Sequence, residues 1–268
     1  MNLNWFAKQM GITIIGVDCA TQDKNVGLAL GLFDEGEARI EEVKVGRTKG
    51  SVVETVANWI THHPPALLAL DAPLGWPKGL RQALRGHKAG KPIRVGPNEM
   101  FRRGTDRFVK EEIDKTPLDV GADRIARTAH WALELLHRLR AQTGQEIRLA
   151  WKPEMISRTC AIEVYPAATL KAHKIERCQG YKLKDEHGKT ARRSIVAQLE
   201  PHHVHRASNF PLLVDNADAL DAVLCVLAGV DFLRGEVYEP TDLKLAKKEG
   251  WIWVLEGGGS PFRVDTPL

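Results

Sequence analysis

"GITIIGVDCA", residues 11–20, is a short β-branched run that closes on an aspartate, and such a run reads as a strand. Two more follow at once, "NVGLALGLF" (25–33) and "ARIEEVKVG" (38–46), joined by a "DEGE" turn that predicts a hairpin. Next comes "SVVETVANWITHHPP" (51–65). Ser51 and Glu54 form a capping box, Val52, Val53, Val56, Trp59 and Ile60 make a helical stripe, and Pro64–Pro65 stop it. "ALLALD" (66–71) then reads as a buried strand, again ending in aspartate. A strand–helix–strand unit implies parallel pairing with a right-handed crossover. These residues therefore predict an α/β fold with a mixed sheet, a three-stranded antiparallel part joined to parallel strands.

Working outward, "APLGWPKGL" is a Pro/Gly turn that opens a basic, irregular stretch to about residue 115. "ADRIARTAHWALELLHRLRAQTG" (122–144) is a long amphipathic helix ending before Gly144. "TCAIEVYP" (159–166) is a fourth apolar run, with Glu163 near its end and Tyr165–Pro166 turning the chain. Residues 167–213 are polar, basic and locally helical, "NADALDAVLCVLAG" (216–229) is an apolar helix, and "GWIWVL" (250–255) reads as one more strand. The chain is expected to be a single domain over 1–268, with insertions at about 75–120 and 167–213. The histidines of "PHHVHR" (201–206) lack i, i+4 spacing and read as a surface loop, and Trp59, Trp131, Trp251 and Trp253 read as packing residues. There is no internal repeat and no low-complexity segment.

Hydrophobic residues at 43% and charged residues at 27% place the chain among ordinary soluble globular proteins. No apolar run approaches the roughly 20 residues of a membrane span, and the first residues lack the pattern of a signal peptide. Cys19, Cys160, Cys178 and Cys225 are scattered without a CxxC pair. That argues against a zinc knuckle or a disulfide framework and leads us to expect a reducing, cytoplasmic setting. The net charge of +4 is unevenly spread. Residues 78–110 hold ten Lys/Arg against Glu99 and Asp106, and residues 171–193 hold eight against Glu176, Asp185 and Glu186. Such segments suit a polyanion such as nucleic acid, or form solvated loops balanced by acidic faces elsewhere. Aromatic stacking platforms are sparse in both windows.

Three apolar runs carry an acid at or near their ends: Asp18, Asp71 and Glu163. If these strands are parallel neighbours, a spacing of roughly 4.8 Å brings the acids together. Like charges so close drive protonation unless a divalent cation intervenes, and hard oxygen ligands suit Mg²⁺ or Mn²⁺. The helix at 216–229 adds Asp218 and Asp221, which share one face. With Asp215 or Asn216 as N-cap, the helix dipole accounts for Asp218; with Asp215 as cap, Asp218 also takes the capping-box position. Neither accounts for Asp221. We therefore expect Asp18, Asp71, Glu163, Asp218 and Asp221 to hold metal, with Asp18, Asp71 and Asp221 as the catalytic set. Two such ions roughly 4 Å apart activate a water and stabilise the leaving oxygen in phosphodiester cleavage. Arg102, Arg103 and Arg107 in "FRRGTDR" are candidates for clamping a substrate phosphate, with an internal salt bridge to Asp106 as the alternative.

"GVDCATQDKNVGLALG", "LALDAPLG", "FRRGTDR", "IEVYPAATL" and "DALDAVLCVLAG" resemble the signature blocks of a widespread family of uncharacterised proteins (domain of unknown function number 429). The resemblance runs in order over roughly residues 11–255. That family is described as predicted nucleases with a ribonuclease H-like fold, so the resemblance implies that fold and a divalent-metal-dependent nuclease activity. Holliday-junction resolvases of the wider superfamily carry an Asp in the first strand and two Asp three apart on the final helix, here Asp18, Asp218 and Asp221. Asp71 falls at the fourth-strand acid, where resolvases commonly use Glu. Glu163 belongs to the uncharacterised family's own pattern. Two other readings stand beside it. One is an actin-like or sugar-kinase-type nucleotide-binding protein, although the first turn lacks a Gly/Ser/Thr-rich phosphate cradle. The other is an inactive ribonuclease H-like module that binds a partner through its basic insertion.

Overall fold

The computed structural model describes residues 11–46, 51–121, 123–206 and 210–257. Strands β1 (Ile12–Asp18), β2 (Gly27–Asp34) and β3 (Glu37–Val45) form an antiparallel meander. The β2–β3 turn is two residues, Glu35 and Gly36, at φ 49° and 90°. Positive φ at both positions marks the turn family whose twist matches a hairpin. Helix α1 (Val52–His62) then carries the chain across the sheet to β4 (Ala66–Asp71), which pairs parallel to β1. The α1 capping box is complete: Glu54 N donates to Ser51 Oγ at 3.1 Å and Ser51 N to Glu54 Oε2 at 2.9 Å.

The basic stretch after β4 contains α2 (Lys78–Leu84), α3 (Pro97–Phe101) and α4 (Gly104–Ile113). The long helix α5 (Asp123–Thr143) stops at Gly144, which adopts φ 66°. β5 (Arg148–Leu149) and β6 (Cys160–Glu163) complete the parallel half, with β6 against β4. Then follow α6 (Pro166–Ala172), α7 (Glu186–Ala197), β7 (Val204–Arg206), α8 (Phe210–Asp215), α9 (Ala217–Arg234) and α10 (Leu243–Glu249). The sheet order is β5-β6-β4-β1-β2-β3-β7.

Period-two alternation along the central strands divides the core in two. Ile15, Val17, Leu68 and Leu70 point to the face covered by α1 and α5, against Val56, Ile60 and Leu136. Ile14, Leu67 and Ala69 point to the other face, against α9. Every residue of α9 from Ala219 to Phe232 is buried, so its all-round apolar sequence reflects an interior helix. Two glycines let it lie directly on the strands. A Cβ on Gly16 would stand 2.0 Å from the Ala222 carbonyl oxygen, and one on Gly27 only 1.8 Å from that of Asp218.

Two details differ from the sequence-based expectation, and a third decides between its two alternatives. "GWIWVL" is not a ladder strand; Ile252 bridges Glu163 in parallel, Leu255 bridges Val237 antiparallel, and Trp251–Val254 are all buried. Its pairing stops at these isolated bridges, and its apolar run reflects burial. Part of "PHHVHR" is a strand, because Val204, fully buried, starts the short β7 edge that pairs with β3 at Ala38–Ile40. The helix cap is Asn216, whose side chain accepts from Ala219 N at 2.9 Å, so Asp218 sits at the second helical position, outside the capping-box slot.

Candidate carboxylate centre

The register of β1 and β4 places Asp18 opposite Asp71. Both follow residues that face α9 (Ile14 and Gly16 on one strand, Leu67 and Ala69 on the other), so alternation turns both carboxylates to that face. Helix α9 lies on the same face, and its first turns bring Asp218 and Asp221 over the strand ends. Asp221 is 1% exposed. Its Oδ1 accepts from the Tyr181 hydroxyl at 2.7 Å and its Oδ2 pairs with Lys182 Nζ at 2.7 Å. Beyond the strand ends opens a cleft of about 790 Å³, lined among others by Asp18, Asn25, Arg124, Lys182, Lys184 and Asp218. The carboxyl ends of the strands are where sites form in open α/β sheets.

Charge and burial shape this centre together. Burial, then Asp221 and Asp71, lift the Asp18 carboxyl well above its ordinary range. Burial, then Asp221, raise Asp71 to about 7, against the opposing pull of Lys182. Burial also raises Asp221, while Lys182 and the Tyr181 hydrogen bond hold it down. For Lys182, burial disfavours the charge, but Asp221, Asp71 and Asp18 outweigh it and its pKa rises. One ammonium thus touches a single acid and acts on three.

Among the described residues, no three His, Cys, Asp or Glu side chains are grouped so as to hold a metal ion. The expected five-acid cage is therefore not assembled as such, and the reasons are local. The oxygens of Asp221 are taken by Tyr181 and Lys182. Glu163 lies opposite Leu70, one residue short of Asp71, so alternation sends it to the opposite face. There it accepts from Arg103 Nη1 at 2.8 Å, Arg103 Nη2 at 2.6 Å and Leu74 N at 2.9 Å. The expectation that Glu163 ligates metal is corrected accordingly. Asp18 and Asp71 keep the donor chemistry that suits Mg²⁺ or Mn²⁺. They are adjacent hard-oxygen carboxylates whose proton affinity is raised by burial and by neighbouring acids.

"FRRGTDR" also needs correction. Arg103 is 1% exposed, with its guanidinium between Glu163 and Asp106, whose Oδ1 and Oδ2 lie 2.8 and 3.1 Å away. Arg103 also donates to the Glu249 carbonyl at 3.2 Å, and Glu249 Oε2 accepts from Gly104 N at 2.8 Å. A guanidinium so enclosed cannot clamp a substrate phosphate; it ties the insertion to β6 and α10. Arg102 pairs with Asp119 at 3.0 Å, and Arg107 Nη1 donates to the Arg102 carbonyl at 3.0 Å. Neither lines the cleft. Nor do the "PHHVHR" histidines: His202 faces His173, while His203 and His205 face Glu37.

Sequence reasoning missed Tyr181, Lys182 and Arg192. All three stand in the basic window 171–193, where each lysine or arginine reads as one more surface charge. Arg192 is 2% exposed; its Nη1 donates to the carbonyls of Tyr181 and Leu183, the latter at 2.9 Å, and its Nε to that of Val214 at 2.5 Å. This buried side chain fixes the segment bearing Lys182 to the residues just before α9.

Fold and site together define a mixed-sheet α/β protein with an acid pair at the ends of two parallel strands, faced by helix acids and a lysine. The family model described as "Protein of unknown function (DUF429)" matches residues 16–244, from β1 into α10, and the chain belongs to that family. No curated protein and no solved structure matches the chain.

Proposed function

We propose that this protein is a divalent-metal-dependent phosphodiesterase acting on nucleic acid, on a ribonuclease H-like sheet. The observation that carries the proposal is the register of β1 and β4, which sets Asp18 beside Asp71 beneath the acids of α9. A three-stranded antiparallel half joined to parallel strands is also the sheet expected of a ribonuclease H-like protein. Asp18 and Asp71 would hold Mg²⁺ or Mn²⁺. Such an ion would supply polarisation of the phosphodiester and a lowered pKa for water, so that hydroxide is available at neutral pH to attack the phosphorus.

The remaining roles belong to the chain. Asp18 and Asp71, both crowded by burial and by the Asp221 charge, would gain from a cation that offsets their repulsion. Asp221 orients the Lys182 ammonium at the edge of the cleft. Arg124 and Lys184, both exposed on the cleft wall, attract the phosphate backbone.

The test is a panel of end-labelled single-stranded, duplex and branched DNA and RNA incubated with the full chain and Mn²⁺. Cleavage is expected, falling about 10³-fold in Asp18→Asn and Asp71→Asn, the scale of losing a charged transition-state contact. Absence of turnover on the whole panel overturns the proposal. Nucleotide-induced stabilisation without cleavage would then favour the actin-like reading, and nucleic-acid binding that survives loss of the acids would favour the inactive module.

A further inference from the structure

We infer that Lys182 is a permanent positive centre of this site, so that the carboxylates take one divalent ion, at Asp18 and Asp71, rather than two. This rests on the reading that the acids hold metal and deepens it by setting the number of ions.

Position comes first. The Lys182 ammonium lies 2.7 Å from Asp221 Oδ2, and the Tyr181 hydroxyl occupies the other oxygen at 2.7 Å. A second ion bridging Asp221 to Asp18 or Asp71 would need the carboxylate atoms that these two residues already hold. The Lys182 Nζ also lies 5.6 Å from the centroid of the Tyr181 ring, a second attraction that keeps it in place.

The arrangement is also built in. Lys182 stands between Tyr181 and Leu183, and the carbonyls of both accept from one nitrogen of buried Arg192. The same guanidinium reaches Val214, two residues before the α9 cap. Lysine and aspartate are thus mounted on segments tied to each other through a buried arginine with three carbonyl partners.

Charge balance points the same way. Asp18, Asp71 and Asp221 carry three negative charges when ionised. One ammonium and one divalent ion match them; one ammonium and two divalent ions leave a surplus even when Asp218 is counted. The Lys182 side chain is 59% exposed and lines the cleft, so an ammonium anchored on Asp221 can also face a phosphate oxygen.

The experiment counts ions. The full chain is titrated with Mn²⁺ at pH 7.5, free Mn²⁺ is read by electron paramagnetic resonance, and Lys182→Met and Lys182→Arg are run alongside. The wild type is expected to bind one Mn²⁺ per chain, as is Lys182→Arg, which keeps the charge. Lys182→Met is expected to bind two, with cleavage reduced about 10²-fold at Mn²⁺ levels that fill the first site. Two ions in the wild type, or a single ion of unchanged affinity in Lys182→Met, overturn the inference and leave the metal reading standing. No bound Mn²⁺ in the wild type overturns the metal reading itself. Should Lys182→Met fail to fold, the counts for the wild type and Lys182→Arg still decide.

Discussion

At the residue scale, the acids divide by what surrounds them. Asp71 has its pKa raised to about 7 by burial and by Asp221, so between its unfolded value of 3.8 and that point the folded chain binds more protons than the unfolded one. Stability from this group is therefore present below about pH 4 and lost as pH rises through about 7. Asp71→Asn is expected to raise the melting temperature of the metal-free protein at pH 8 and to leave it unchanged at pH 4. Scanning calorimetry at the two pH values checks this, and equal shifts at both would contradict it. Glu163 is the opposite case, an acid satisfied by Arg103. Removing one partner of a buried ion pair strands the other, at a cost of about 3–5 kcal/mol. Arg103→Met should lose that much in urea unfolding, and unaltered stability with weaker substrate binding would restore it to the substrate.

At the element scale, two close contacts place helix acids over strand acids. A methyl at Gly16 would collide with the Ala222 carbonyl oxygen at 2.0 Å, a backbone atom that cannot swing aside. Gly16→Ala is expected to cost about 1–3 kcal/mol, the usual range for overpacking, and to weaken Mn²⁺ affinity as α9 shifts. Ser51→Ala, which removes the α1 cap far from the cleft, should cost about 1 kcal/mol while leaving Mn²⁺ affinity intact. Urea titration paired with Mn²⁺ binding separates the two effects. Elements were the most legible level in the sequence, because their signals are local. β1 to β4, the Ser51–Glu54 cap and the Gly144 stop each lie within a few residues of the feature they specify. The three-residue β7 and the segment 250–255 were not legible. The first is too short to show alternation, and the second is apolar for burial and pairs only through isolated bridges.

At the scale of the whole molecule, the metal-free centre carries its own repulsion. Burial and the Asp221 charge raise both Asp18 and Asp71, Asp71 adds to the effect on Asp18, and Lys182 opposes it at both. An ion that binds only the folded state stabilises it by mass action, and protonated acids bind it poorly. Saturating Mn²⁺ is therefore expected to raise the melting temperature at pH 8 and to do little at pH 5. Thermal unfolding with and without Mn²⁺ tests this, and an equal rise at pH 5 would place the ion elsewhere. Among the described residues, no helix is long and apolar enough to cross a membrane.

The sequence by itself determined the strand–helix–strand core and named Asp18, Asp71 and Asp221, because each sits at the end of an apolar run or inside an apolar helix where an acid is costly. Only the tertiary structure decided which acids share a face. Glu163 is one residue out of step with Asp71, and in a pleated sheet one residue reverses the side chain. Only the tertiary structure, too, brought Lys182 to Asp221 and Arg103 to Glu163. Such pairs join residues far apart in the chain, and no local periodicity encodes which opposite charge a buried carboxylate will meet.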